Sequence, residues 1–183
     1  MSCGVRQSDS QRQVGEVMFT RKAEAPPQKK RSLRGRRLVV VDIENVVGGA
    51  VMTTEQAVGA HLAVKHVAEL SGTEQVVLGT SHFGAVPTGL GWPGPRLVVR
   101  SGQDGADLAL LGVLIEERIA ERFDEVVLVS GDGIFTEAVA ALGAAGVEVT
   151  VVAHTSRCSK RLRMAAARFV VLAESAIGFG GAA

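Results

Sequence analysis

A chain of 183 residues with 46% apolar and 21% charged residues is long enough for one domain with a sizeable core and excludes wholesale disorder, collagen-like repeats and a coiled coil. The longest apolar stretch, around Leu108–Ile115, is too short to cross a bilayer, and Met1–Arg12 has no signal-peptide character, so no membrane association is expected. The net charge of +1 is a cancellation: residues 1–37 carry ten Lys/Arg against Asp9, Glu16 and Glu24, which is +7, and the remainder is −6.

In chain order, residues 1–37 are rich in Gln, Ser, Lys and Arg, lack apolar periodicity and contain Pro26-Pro27, so a disordered basic arm is expected there. Lys29, Lys30, Arg31, Arg34, Arg36 and Arg37 place six cations in nine residues. Such a cluster suits the phosphates of RNA or DNA, or serves only to keep a tail solvated. The folded part is expected over 38–175, with a flexible tail at 176–183. Leu38–Val41 is a β-branched run ending on Asp42, as a buried parallel strand would. Thr53-Thr54-Glu55 reads as a helix start, with Val58, Leu62, Val67 and Leu70 as its apolar face. Val76–Leu78 is a second strand. Phe83–Pro95, punctuated by Gly and Pro, reads as a long loop carrying Trp92. Leu97–Val99 is a third strand, Asp107–Arg122 a helix facing inward through Leu108, Leu111, Ile115 and Ile119, and Val126–Val129 a fourth strand. A helix near Phe135–Ala145, a strand at Val147–Val152, a basic helix at Ser159–Ala166 and a short strand at Phe169–Leu172 complete the pattern.

Strands alternating with helices predict an α/β fold with a mainly parallel central sheet covered on both faces. In such sheets ligands gather beyond the carboxyl ends of the strands. Three acids fall there: Asp42 after the first strand, Asp107 opening the helix after the third, and Asp132 after the fourth, with Asp104 nearby. One acid at a helix start is ordinarily a cap. Three converging on one edge repel one another and raise each other's pKa unless a cation neutralises them. Oxygen ligands without His or Cys suit Mg²⁺ or Mn²⁺, either of which can polarise a phosphodiester and activate water. Asn45, three residues after Asp42, is placed to orient a carboxylate or a water.

Val39–Asn45 with its Asp-x-x-Asn, Gly105–Leu110 with its Gly-x-Asp, and Val129–Phe135 with its Ser-Gly-Asp, in that order, resemble the NYN domain family, a PIN-like nuclease group that includes the LabA/DUF88 proteins. The resemblance spans about 38–172. It implies a PIN-like three-layer α/β/α sandwich and metal-dependent cleavage of RNA by Asp42, Asp107 and Asp132, supported by Asn45 and Ser130. Ile134 stands where many relatives carry a second Asp, and Val113 where some carry another, which leaves three core aspartates with Asp104 or Glu137 as the residues that could compensate. Two readings follow: a Mg²⁺- or Mn²⁺-dependent ribonuclease, and an RNA- or protein-binding module of the same fold with weakened turnover. The expected partner is RNA, with a homodimer or protein partner left open.

Other chemistries fit less well. Asp42-Ile43-Glu44 departs from the Asp-x-Asp of haloacid dehalogenase-like phosphatases, Gly131-x-Gly133 lacks the third glycine of a dinucleotide fingerprint, and no Gly-Lys-Ser/Thr is present. The four histidines have no metal-ligand spacing. Arg157, Lys160 and Arg161 share one helix face and form a candidate phosphate-binding rim, or a solvated face. Cys158 lies among cations that would lower its pKa. With Cys3 and Cys158 as the only cysteines there is no disulfide framework, and a cytoplasmic location is the default.

Overall fold

The computed structural model describes Met1 and residues 35–173. The basic cluster at Lys29, Lys30, Arg31 and Arg34, with the rest of the expected arm before residue 35, and the expected tail at 176–183 lie outside the described residues. Six strands alternate with helices: β1 (Arg37–Asp42), α1 (Ile43–Val47), α2 (Thr54–Val67), β2 (Gln75–Thr80), α3 (His82–Gly91), β3 (Arg96–Val99), α4 (Gly105–Glu116), α5 (Ile119–Arg122), β4 (Glu125–Val129), α6 (Thr136–Ala144), β5 (Glu148–Ala153), α7 (Lys160–Ala165) and β6 (Arg168–Val171). The strands form one sheet in the order β3-β2-β1-β4-β5-β6, and every pairing is parallel. The chain therefore builds outward from β1 in one direction, then returns to β1's other side with β4 and builds outward again. That reversal opens a crevice at the carboxyl ends of β1 and β4, where an open parallel sheet binds its ligands.

The strand cores are the β-branched runs of the sequence, buried because helices cover both faces. Leu38 and Val40 point into a core with Leu110, Leu114, Phe135, Val139 and Leu162 from α4 to α7. Val39 and Val41 point to the opposite side, against Ile43, Val46, Ala57, Ala60, Val64 and Trp92. This is a three-layer α/β/α sandwich.

Three local expectations change. The segment 83–95 is largely helix, not loop. Gly84, Thr88 and Gly91 are its buried residues, and their small size lets α3 lie flush against its neighbours despite Pro87 within it. A Cβ on Gly91 would stand 2.6 Å from both Ala57 Cβ and Thr54 O of α2, so this glycine is a contact and not a chain break. Gly91→Ala is expected to destabilise the fold by about 1–3 kcal/mol through overpacking, measurable by urea denaturation. Trp92 is buried, with its ring stacked on His61 at 4.6 Å, and packs the end of α3 onto α2.

The inward face of α2 is Ala57, Ala60, Ala63 and Val64, whereas Val58 and Leu62 are exposed. Close approach of α2 to the sheet favours the small side chains. Thr53 and Gln56 form a reciprocal capping box at its start, where the sequence placed a helix start. The helix expected over Asp107–Arg122 breaks at Arg118, which adopts φ 52°. Its inward face is Ala106, Leu110, Val113 and Leu114, while Ile115 is exposed.

Candidate active site at the carboxyl edge of the sheet

β1 ends on Asp42, and burial of the strand carries this carboxyl inside the protein, where it is 4% exposed. Asp42 is also the N-cap of α1: its Oδ1 accepts a hydrogen bond from Asn45 N at 3.1 Å. Its Oδ2 accepts from Ser130 Oγ at 3.2 Å. Ser130 follows β4 directly, so the side chains of residues 42 and 130 tie the two central strands together at the crevice. Asn45 makes a second tie, its Oδ1 accepting from Gly131 N at 3.1 Å. Ser130 Oγ in turn accepts from Asp132 N at 3.2 Å.

The 130–133 loop is held from the other side too. Ser159 N donates to Gly131 O at 2.8 Å, and a Cβ at residue 131 would collide with the Arg157 backbone. The Ser-Gly-Asp sequence thus has a steric reason for its glycine.

Asp107 is brought to Asp42 by packing. Leu110, one turn further along α4, occupies the space above Gly79 that any side chain there would fill. This seats the first turn of α4 over the carboxyl ends of β1 and β2. The Asp42 and Asp107 carboxyls come within hydrogen-bonding contact of each other. Burial, reinforced by the charge of Asp107, pushes the Asp42 pKa up to about 8. Burial also raises Asp107, with the charges of Asp132, Asp104 and Glu44 adding to the effect and the hydrogen bond with Asp42 opposing it. Asp107 Oδ1 is buried and finds no hydrogen-bond partner among the described residues. An unpartnered buried carboxylate oxygen is costly, and a proton or a bound cation relieves that cost.

Asp132 is exposed and its Oδ1 accepts from Ile134 N at 2.8 Å, capping a short 3₁₀ turn at Gly133–Phe135. It reaches the pair electrostatically. No group of three or more His, Cys, Asp or Glu among the described residues is arranged to hold a metal ion. The groups that could hold a hard divalent cation are the Asp42–Asp107 pair with the unpartnered Asp107 Oδ1, and Asp132, whose charge acts on Asp107. Ile134 and Val113 both pack toward the core, so the two positions where relatives carry acids add no ligand.

Of the two residues that could compensate, Asp104 stands at the start of α4 in a left-handed conformation, near enough to raise Asp107. Glu137 is exposed and ion-paired with Arg161 at 3.0 Å. Glu44 is a further acid at this edge, beyond those the sequence pattern marks. Its Oε1 accepts from Ser81 N at 2.9 Å and Thr80 Oγ1 at 3.4 Å, bridging α1 to the end of β2. Its position two residues after Asp42 was the available signal, hidden because a helix turn rather than strand alternation follows Asp42.

The cations divide. Arg157 lies over the carboxyl end of α1, its Nη1 2.6 Å from where a Cβ on Gly48 would be, and Lys160 is exposed at the start of α7. Arg161 is exposed and paired to Glu137. Arg163 stacks on Phe169 at 4.6 Å. Arg36 precedes β1 and Arg37 begins it at the opposite edge of the sheet, where Arg37 pairs with Glu125 at 3.1 Å and Arg36 Nη2 donates to Glu121 O at 3.4 Å. Burial raises the Cys158 thiol pKa despite the opposing charge of Arg163, which corrects the expectation of a lowered value. His82 Nδ1 is 2.6 Å from Ser101 Oγ, joining the loops after β2 and β3. His154 is buried against Val46 O.

No described helix is long and apolar enough to cross a membrane. No curated protein matches this sequence. A crystal structure of a protein of unknown function from Vibrio parahaemolyticus shares the fold with a TM-score of 0.52 at 20% identity, over 79% of this chain and 97% of that one. Residues 83–173 match the NYN domain family, a stretch that holds Asp107, Ser130 and Asp132; Asp42 at the end of β1 and Asn45 in α1 precede it. The chain carries an NYN domain over residues 83–173.

Proposed function

We propose that the protein is a divalent-metal-dependent ribonuclease that hydrolyses RNA phosphodiester bonds at the Asp42–Asp107–Asp132 edge. The observation that carries this reading is the contact of the Asp42 and Asp107 carboxyls with Asp107 Oδ1 left buried and unpartnered. A fold keeps two such acids together at a cost of stability, which a bound cation offsets. Asp42 and Asp107 would hold Mg²⁺ or Mn²⁺, with Asp132 completing the acidic surface. Such an ion, when bound, supplies charge neutralisation and activation of water toward phosphorus.

The remaining work falls to the chain's own groups. Ser130 Oγ fixes one oxygen of Asp42 and the Asn45 amide N–H fixes the other, so the carboxylate is preorganised. Asn45's side chain holds the backbone of Gly131 and through it the position of Asp132. Arg157 and Lys160 offer positive charge to the phosphate backbone, a contact that positions RNA without reading sequence.

The test is cleavage of labelled RNA in Mn²⁺ by wild type, Asp107→Asn and Asp132→Asn. Asp107→Asn is expected to lower the rate by at least about 100-fold, in the range of losing a principal charge-stabilising group. Cleavage surviving that change would remove the assignment. A second reading, an RNA- or protein-binding module with weakened turnover, is favoured by the absence of a three-ligand arrangement among the described residues and by Asp132's role as a cap. RNA binding without cleavage in wild type would select it.

A further inference from the structure

Six exposed large apolar side chains fall on α2, α3 and the residues just before α2, whereas Ile115, Met164 and Val171 are exposed singly on other elements. Phe83, Val86 and Leu90 follow one another at helical spacing on α3 and are 83%, 70% and 68% exposed. α2 lies directly against α3 through Gly91 and adds Val58 and Leu62, while Met52 precedes it. From His82 to Gly91, α3 contains no Lys, Arg, Asp or Glu. The six side chains expose on the order of 700 Å², above the few hundred Å² usual for the largest apolar patch of a monomer.

The charges on α2 indicate what covers it. Glu55, Val58, Leu62 and Lys65 are all exposed and occupy one stripe at i, i+3, i+7 and i+10. The stripe reads acid, apolar, apolar, base. Laid antiparallel on a copy of itself, it sets Glu55 opposite Lys65 of the copy, and Val58 opposite Leu62, about a two-fold axis near residue 60. An isologous interface requires such self-complementarity. A like-directed packing would instead oppose Glu55 to Glu55.

We infer that the α2–α3 face is the homodimer interface of this protein, with α2 crossing its copy antiparallel, Val58 and Leu62 at the centre and Glu55–Lys65 pairs at the flanks. Each protomer would contribute close to the roughly 800 Å² per partner of a standard interface. The α3 stripe of one subunit is carried against the carboxyl-terminal half of α2 in the other. Association through this face does not depend on the activity assigned to the acidic edge.

Sedimentation velocity of the full chain tests this. Wild type is expected to be dimeric at about 50 μM, as an interface of this size allows. Leu62→Glu and Leu90→Glu are each expected to weaken association at least about tenfold, the cost of a charge in an apolar interface centre. Glu55→Lys alone and Lys65→Glu alone should each weaken it about fivefold, and the double exchange should restore it. Thermal melts by circular dichroism check that the variants are folded; these exposed positions should leave the unfolding of the monomer unchanged. A monomeric wild type at 50 μM, or a dimer indifferent to Leu62→Glu and Leu90→Glu, overturns the interface. Single charge reversals without effect, or a double exchange that fails to restore binding, overturns the antiparallel arrangement.

Discussion

Asp42→Asn is expected to give a protein that is more stable and less active than wild type near pH 8. Asp42 has an ordinary carboxyl pKa when unfolded and one raised to about 8 when folded, first by burial and then by the charge of Asp107. A raised folded value means that the native state holds a proton more tightly than the unfolded chain does. Its stabilising contribution is fully present below about pH 4 and is lost as pH climbs through about 8. Without divalent cations, wild-type stability should therefore fall across that window by an amount on the order of a few kcal/mol, with Asp107 adding in the same direction. Asparagine carries no titratable proton and can still accept from Asn45 N or Ser130 Oγ. Chemical denaturation at pH 5 and pH 8 in EDTA checks this: the wild-type difference should shrink in Asp42→Asn. A wild-type stability that is flat between those pH values would contradict the buried pair.

The second large effect is the response to metal. Asp42 sheds its proton as pH rises through about 8 and then repels Asp107, and a cation that binds only the folded state raises stability in proportion to the logarithm of its concentration above Kd. Addition of Mg²⁺ or Mn²⁺ at about 100 times Kd should contribute roughly 2.7 kcal/mol, seen as a higher Tm. Ca²⁺ separates charge neutralisation from the tighter octahedral preference of Mg²⁺. Asp107→Asn should abolish the shift because it removes the partly buried negative charge beside Asp42, whereas Asp132→Asn should only reduce it, since that carboxylate is exposed and already caps Ile134 N. A Tm indifferent to both ions in wild type would count against the proposed chemistry.

How much of this was legible beforehand depended on side-chain size. The strands were plain because Leu38–Val41 and Val126–Val129 are uninterrupted β-branched or leucine runs, buried from both sides. Asp42, Asn45, Ser130 and Asp132 were legible because each lies at or near the end of such a run, and their hydrogen bonds to one another follow from β1 and β4 being neighbours. Helix faces were misread wherever close packing uses small residues. Ala57, Ala60 and Ala63 carry the burial of α2, and periodicity weighted toward large side chains picked out Val58 and Leu62 instead. α3 was missed for the same reason: Gly84 and Gly91 signal a chain break locally, and only the neighbouring α2 reveals them as contacts. The part played by Glu44 depends on the β2–α3 joint, 37 residues away at Ser81, a distance that no local pattern spans.

The order in which β1 acquires its two neighbours has a consequence for synthesis. The residues up to β3 already pair β1 with β2 and β2 with β3, and they contain Asp42 but neither Asp107 nor Asp132. The bond from Ser130 to Asp42 closes a loop of 88 residues, so it must wait for β4 to dock on the far side of β1. A chain emerging from the ribosome would thus fold one wing of the sheet with its buried acid unpaired. The acidic edge is therefore assembled only when the second wing arrives, a timing set by the winding of the sheet itself.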